Sequence, residues 1–375
     1  MRVIEFFSCS GGMAEGFRRA GVVFDLVFDM DPDACDSYEK NLGHRPIQMD
    51  VRDLLRLVRA GASLGAIDLI VADPPCTPWS RAGKRLGADD ERDMLATTCE
   101  LIALLRPREY LIGNVMGLQD STAWGAVQEH IGGLTKHGYC VADHACLNAA
   151  DHGVPQKRIR PFWFGHLEGP CLRWPAPTHA KTAPRVQALP GMGLLPWVTC
   201  RDALGHLPLA ELGRPVCLEL RKPGEWSGGG DGHSAPHVVL ANSRHPPASP
   251  ASPANTVGGK YRGQSEILRA DENGLPKSWK GSLSQSQRAP FDVEGLAPTV
   301  LAREDRLANG ASTMAWPWAA DASSSRRVNA IILSEKAVAI LQGFPETWVF
   351  SGATKKARWG QIGQAMPPPM AQAVA

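Results

Sequence analysis

The first 170 residues are written as short apolar runs separated by segments with helical spacing, and this alternation restricts the fold more than any other feature. The runs are Val3 to Phe7, Val23 to Phe28, Ile67 to Ala72, Tyr110 to Asn114 and Phe162 to Phe164. Between them, 13–20, 32–41 and 94–105 repeat apolar residues at the three- and four-residue intervals of one helix face. Strands alternating with helices predict an α/β fold: a doubly wound, mostly parallel sheet with helices on both sides.

Residues 171–325 differ in character. They hold six of the eleven tryptophans and many Pro, Gly and Ser residues, as in Gly228-Gly229-Gly230 and His245-Pro246-Pro247-Ala248-Ser249-Pro250. Short strands and long loops are expected there. Order returns near Arg326, with a helix over Ser334 to Leu341 and a closing segment, 360–375. The pattern divides the chain into two ordered parts, 1–170 and 326–375, and an irregular insert, 171–325, which looks like a recognition module placed inside a catalytic domain.

The 375 residues, 43% hydrophobic and 21% charged, suit a soluble globular protein. No apolar run nears the ~18 residues of a membrane span. The nine cysteines are scattered, with no C-x-x-C pair, so a reducing cytoplasm is expected, without a disulfide framework or a zinc site. A net charge of +2 does not by itself announce a nucleic-acid partner.

Three motifs carry chemistry. In the first, the opening strand runs into a small-residue turn, Phe7-Ser8-Cys9-Ser10-Gly11-Gly12, and then a helix. Such a turn lets a nucleotide-like group approach the backbone. Asp29, at the end of the next strand, is placed to bond ribose hydroxyls, and Asp50 could meet an adenine edge; strand-end Asp residues also cap helices.

The second motif, Asp73-Pro74-Pro75-Cys76-Thr77-Pro78-Trp79-Ser80, presents a thiol directly after a core strand, and prolines fix its direction. A buried inert cysteine is the alternative. The third, Gln156-Lys157-Arg158-Ile159-Arg160, puts two guanidinium groups on one side of an extended segment. They could hold a phosphate or a base oxygen; an ordinary exposed basic strand is the alternative.

Together these motifs resemble the cytosine carbon-5 DNA methyltransferase family. The resemblance rests on the S-C-S-G-G-M turn, the P-P-C loop, Asn114-Val115, the Q-K-R-I-R block with its lead-in from Leu147, the segment from Arg327 to Gln342-Gly343-Phe344-Pro345, and Gly363-Gln364-Ala365-Met366-Pro367. It implies a Rossmann-like, S-adenosylmethionine-dependent domain and a cytosine flipped out of double-stranded DNA. Cys76 would attack carbon 6, so that carbon 5 can take a methyl group. Arg160 would contact the base oxygen, and Arg158 would support the catalytic loop. S-adenosyl-L-methionine would lie over Phe7, Ser8, Cys9, Ser10, Gly11 and Gly12, with Asp29 on the ribose, Met30 against adenine, and Asp50, Val51, Pro75, Gln364 and Ala365 nearby. Candidate DNA contacts are Ser80, Arg81, Lys84 and Arg85 in the loop, and Lys260 and Arg262 in the insert. The expected protein is a monomeric, cytoplasmic, bacterial or phage-encoded enzyme.

Three positions depart from the family pattern. Gly113 stands before Asn114 where the family has Glu, the group that serves ring nitrogen 3. Thr77 replaces the usual Gln, and Gln364 the usual Asn. Loss of a general acid removes ~10²–10⁴-fold in rate. The departures leave alternatives open: an impaired DNA-binding homologue, an RNA-directed relative, or a pocket enlarged for a modified donor such as carboxy-S-adenosyl-L-methionine.

Overall fold

The computed structural model describes residues 1–75, 94–119, 121–141, 144–168, 173–182, 193–220, 238–240, 291–292, 295–297, 300–301, 306–307, 313–315 and 327–375. Cys76, Thr77, Ser80, Arg81, Lys84, Arg85, Lys260 and Arg262 lie outside the described residues.

The expected doubly wound sheet is present. Its strands are β1 (Val3–Phe6), β2 (Leu26–Asp29), β3 (Ile47–Gln48), β4 (Leu69–Ala72), β5 (Glu109–Gly113), β6 (Cys140–Val141), β7 (Ala145–Asn148) and β8 (Ile159–His166). Their order is β3-β2-β1-β4-β5-β8-β6, with β7 also paired to β8. The first five are parallel and β8 runs antiparallel to β5. Order reverses between β1 and β4, so a crevice is expected outside their carboxyl ends.

Both faces of β1 and β4 are buried, which is why these strands read as unbroken apolar runs rather than alternating ones. One face carries Ile4, Phe6, Ile70, Ala72 and Ile112 against α3 (Val51–Arg59) and α4 (Leu95–Leu105). In α3, Val51, Leu54, Leu55 and Val58 recur on one stripe, as an amphipathic helix requires. The other face carries Val3, Val27, Val71, Leu111, Phe162 and Phe164 against α1 (Gly12–Arg19) and the terminal helix Pro368–Val374. Burying each large side chain contributes about 1.5–3 kcal/mol.

That terminal helix docks through glycines. A β-carbon at Gly12 would sit 2.2 Å from the Met366 carbonyl, and one at Gly16 would sit 2.4 Å from both Ala371 Cβ and the Pro368 carbonyl. The glycine at 12 therefore also permits close approach between protein segments.

A second core joins Cys200, Leu204, Leu207 and Leu212 to Leu333, Val338, Leu341, Phe344, Trp359 and Ile362. Strand Gly213–Leu220 pairs antiparallel with Arg327–Leu333. The sheet of the presumed insert thus continues past 326 to Leu333, and 200–212 packs with the closing part of the chain.

Candidate active site

The carboxyl ends of β1, β2 and β4 meet at the switch point. The turn after β1 places Phe7, Cys9 and Gly11 at φ of 60°, 50° and 91°. Positive φ is uncommon outside glycine, and such strain often marks sites of function. Asp29 fixes this turn: its Oδ2 accepts from the Cys9 amide at 2.7 Å and its Oδ1 from the Asp31 amide at 2.9 Å. Ser8 and Ser10 are buried, and the Ser8 hydroxyl has no hydrogen-bond partner among the described residues. Gly11 faces Leu42, Tyr38 and Trp348. Met30 is 62% exposed beside the turn, offering an apolar surface at the strand end.

Asp50 caps α3, accepting from the Arg52 amide at 2.8 Å and pairing with the Arg52 guanidinium. These bonds hold its carboxyl below the usual range, and the helix starts at Val51. Gln364 approaches the turn from the other side, its Oε1 3.9 Å from Cys9 Sγ. Ala365 is buried and its carbonyl accepts from Gln342 Nε2 at 2.8 Å. The orphaned Ser8 hydroxyl, the strained turn and the acidic strand ends fit a bound nucleoside donor. Asp29, Met30 and Gln364 would frame it.

The Pro-Pro loop leaves β4 one strand away. Asn114 stitches it to β5, donating Nδ2–H to the Pro74 carbonyl at 3.3 Å, while its own amide donates to the Pro161 carbonyl at 3.1 Å. Pro75, the residue before Cys76, is exposed. Arg158 is almost wholly buried and donates to the carbonyls of Gly363 at 2.9 Å and Ala365 at 3.2 Å, tying the closing segment to β8. It is an anchor, so the ordinary exposed-strand alternative does not apply to it. Arg160, 9% exposed, follows two residues later on the same side.

Asp73 is the neighbour whose role the sequence left unassigned. Desolvation pushes its carboxyl above the usual range, against the pull of Arg160 and Arg158. Glu5, on β1, is likewise pushed up by burial and then by Asp29 and Asp73. The signal was legible: an acid closing a strand of otherwise buried residues, Leu69-Ile70-Val71-Ala72.

Packing around Gly113 is tight on one side. A β-carbon there would lie 3.0 Å from Met366 Cε and 3.2 Å from Phe162 Cε1. A side chain at 113 would need that methyl or that ring to give way slightly.

The sheet order, with the strained first turn and the acidic strand ends at its switch point, defines a doubly wound, Rossmann-like α/β fold. The solved structure of the S. pombe Dnmt2 methyltransferase matches all of the chain and 96% of its own, with TM-score 0.57 at 17% identity, which shows the fold. Residues 1–191 match the family model for C-5 cytosine-specific DNA methylase. The type II methyltransferase M.AquIA of Picosynechococcus sp. is 34% identical over 59% of the chain and 93% of its own length. M.NaeI of Lentzea aerocolonigenes is 29% identical over 100% of the chain and 73% of its own length. The chain belongs to the C-5 cytosine-specific DNA methylase family, a family of transferases.

Proposed function

We propose that this protein transfers a methyl group from S-adenosyl-L-methionine to carbon 5 of a cytosine extruded from double-stranded DNA. The observation that carries the reading is the adjacency of two strand ends: the Ser8–Gly12 turn after β1 and the Pro74-Pro75 loop after β4, at the point where sheet order reverses. Bound at the first, the donor supplies an electrophilic methyl.

The protein's own residues do the rest. Cys76, presented directly after Pro75, adds as thiolate to carbon 6 of the base. Asn114 holds the loop to β5, so the direction of approach is set by the sheet. Arg160 faces the pyrimidine oxygen, and Arg158 keeps the closing segment against β8. Since the base must leave the helix to reach this crevice, flipping is part of the cycle. Loop residues Ser80, Arg81, Lys84 and Arg85, with Lys260 and Arg262 of the insert, contact the DNA backbone or bases.

The test is incubation with duplex DNA of random sequence and isotopically labelled donor, followed by mass spectrometry of the nucleosides. Labelled 5-methyl-2′-deoxycytidine from the DNA is expected. No label in DNA, or label only in transfer RNA offered in parallel, would sink the reading.

A further inference from the structure

Adding a sulfur nucleophile to carbon 6 of cytosine drives electron pairs toward ring nitrogen 3. The C5=C6 pair moves to C4–C5, the C4=N3 pair moves onto nitrogen 3, and that nitrogen must take a proton. The residue the family uses is absent at 113, where a β-carbon would lie 3.0 Å from Met366 Cε and 3.2 Å from Phe162 Cε1. A protonated acid is needed close by.

The strand register supplies one. Ala72 of β4 pairs with Ile112 of β5, so the next residues along, Asp73 and Gly113, stand level at the carboxyl ends of neighbouring parallel strands. Their side-chain positions share a face. Val71 and Leu111 both belong to the core under the terminal helix, and residues two further on project the same way. A β-carbon at 113 meets Met366 and Phe162 of that same core. Phe162 of β8 pairs with Gly113, which puts Arg160 on the same face nearer the loop. Asp73 lies within electrostatic reach of Arg160, Arg158 and Glu5. It is half-buried, walled by protein yet open to solvent.

Building on the cytosine reading above, we propose that Asp73 is a catalytic residue: its carboxyl takes the place of the missing acid and protonates ring nitrogen 3 of the flipped pyrimidine. The oxygen at carbon 2 and nitrogen 3 are adjacent on the base edge. A guanidinium from Arg160 and a carboxyl from Asp73, arriving from strands on either side of Gly113, match that pair of acceptors. As sulfur bonds to carbon 6, the proton passes from Asp73 to nitrogen 3 and leaves a carboxylate beside Arg160 and Arg158. When the thiolate leaves, nitrogen 3 returns the proton. Burial favours the protonated resting form that this role needs. The competing account makes Asp73 only a counter-ion that keeps two arginines in place.

Exchange of the hydrogen at cytosine carbon 5 with water reports the addition step without a methyl donor. A random-sequence duplex library carrying deuterium at that carbon would be incubated with wild type, Asp73→Asn, Gly113→Glu and the double variant. Release by wild type and a loss of about 100-fold or more in Asp73→Asn are expected, as for removal of a general acid. Gly113→Glu should then recover exchange in the Asp73→Asn background while adding under about threefold in wild type. The alkaline fall of the wild-type pH profile should be absent in Asp73→Asn, which cannot titrate.

Equal exchange by Asp73→Asn and wild type would overturn the proposal alone. A large gain from Gly113→Glu in wild type would do the same, and it does not depend on how well Asp73→Asn folds. A wild type that releases no deuterium would overturn the cytosine addition reading, and this inference with it.

Discussion

Asn114 Nδ2 donates to the carbonyl of Pro74, so the end of β5 holds the start of the Pro-Pro loop at the end of β4. The bond is buried and joins residues forty positions apart. It converts the position of the cysteine's lead-in from a property of the loop into a property of the sheet. Asn114→Ala leaves the Pro74 carbonyl without this donor and should cost about 1–3 kcal/mol of stability. Methyl transfer should fall further than stability, because loop direction is lost. Denaturant midpoints and rates on the same preparations check this; unchanged rates would remove Asn114 from the positioning role.

Gly12→Ala should prevent the terminal helix from docking. The added carbon would lie 2.2 Å from a backbone carbonyl, which cannot swing aside as a side chain would. Overpacking costs typically about 1–3 kcal/mol and occasionally more, and this contact belongs at the upper end. Faster proteolysis beyond Pro367 than in wild type is the expected readout.

Gly113→Ala meets a softer obstacle, the methyl end of Met366 at 3.0 Å. Its cost should be small, at about 1 kcal/mol, and should couple to residue 366. In the Met366→Ala background the same change should cost nothing or stabilise. A double-mutant cycle of unfolding free energies with no coupling would show that the two do not share the space.

Arg158→Lys should be nearly as damaging as Arg158→Ala. The guanidinium reaches two carbonyls, Gly363 and Ala365, from a buried position, and an ammonium lacks the planar fork that does so. A loss of about 3 kcal/mol is expected for either, since hydrogen bonds from charged donors contribute about 1.5–3 kcal/mol. Equal midpoints for wild type and Arg158→Lys would contradict this.

Glu5 sets a pH dependence. Its folded carboxyl titrates above the ordinary 4.5 because of burial first, and then the charges of Asp29 and Asp73. The folded chain therefore binds this proton more tightly than the unfolded chain does. Stability contributed by the site is full below 4.5 and declines as pH rises toward the folded value. Glu5→Gln should be neutral at about pH 4 and stabilising at about pH 7. A midpoint shift equal at both would show that Glu5 is not held protonated.

Much of this was written in the chain. The fully apolar runs Val3 to Phe7 and Ile67 to Ala72 required a sheet covered on both faces, because buried strands lose the alternation that solvent imposes. The order of turn, proline loop, arginine block and closing segment determined the family, since each is a local backbone requirement carried by adjacent residues. Other relations joined positions that no local pattern connects. Gly12 reads as a cofactor turn, and only packing shows that the Met366 carbonyl requires it. Arg158 reads as a support for the catalytic loop or as an exposed base, and its bonds to the Gly363 and Ala365 carbonyls make it an internal anchor. Gly113 reads as an opening, and only packing sets Met366 and Phe162 at 3.0 and 3.2 Å from where its β-carbon would be. Strand register alone sets Asp73 beside it, because pairing between β4 and β5 is decided by the fit of two whole surfaces rather than by either segment alone.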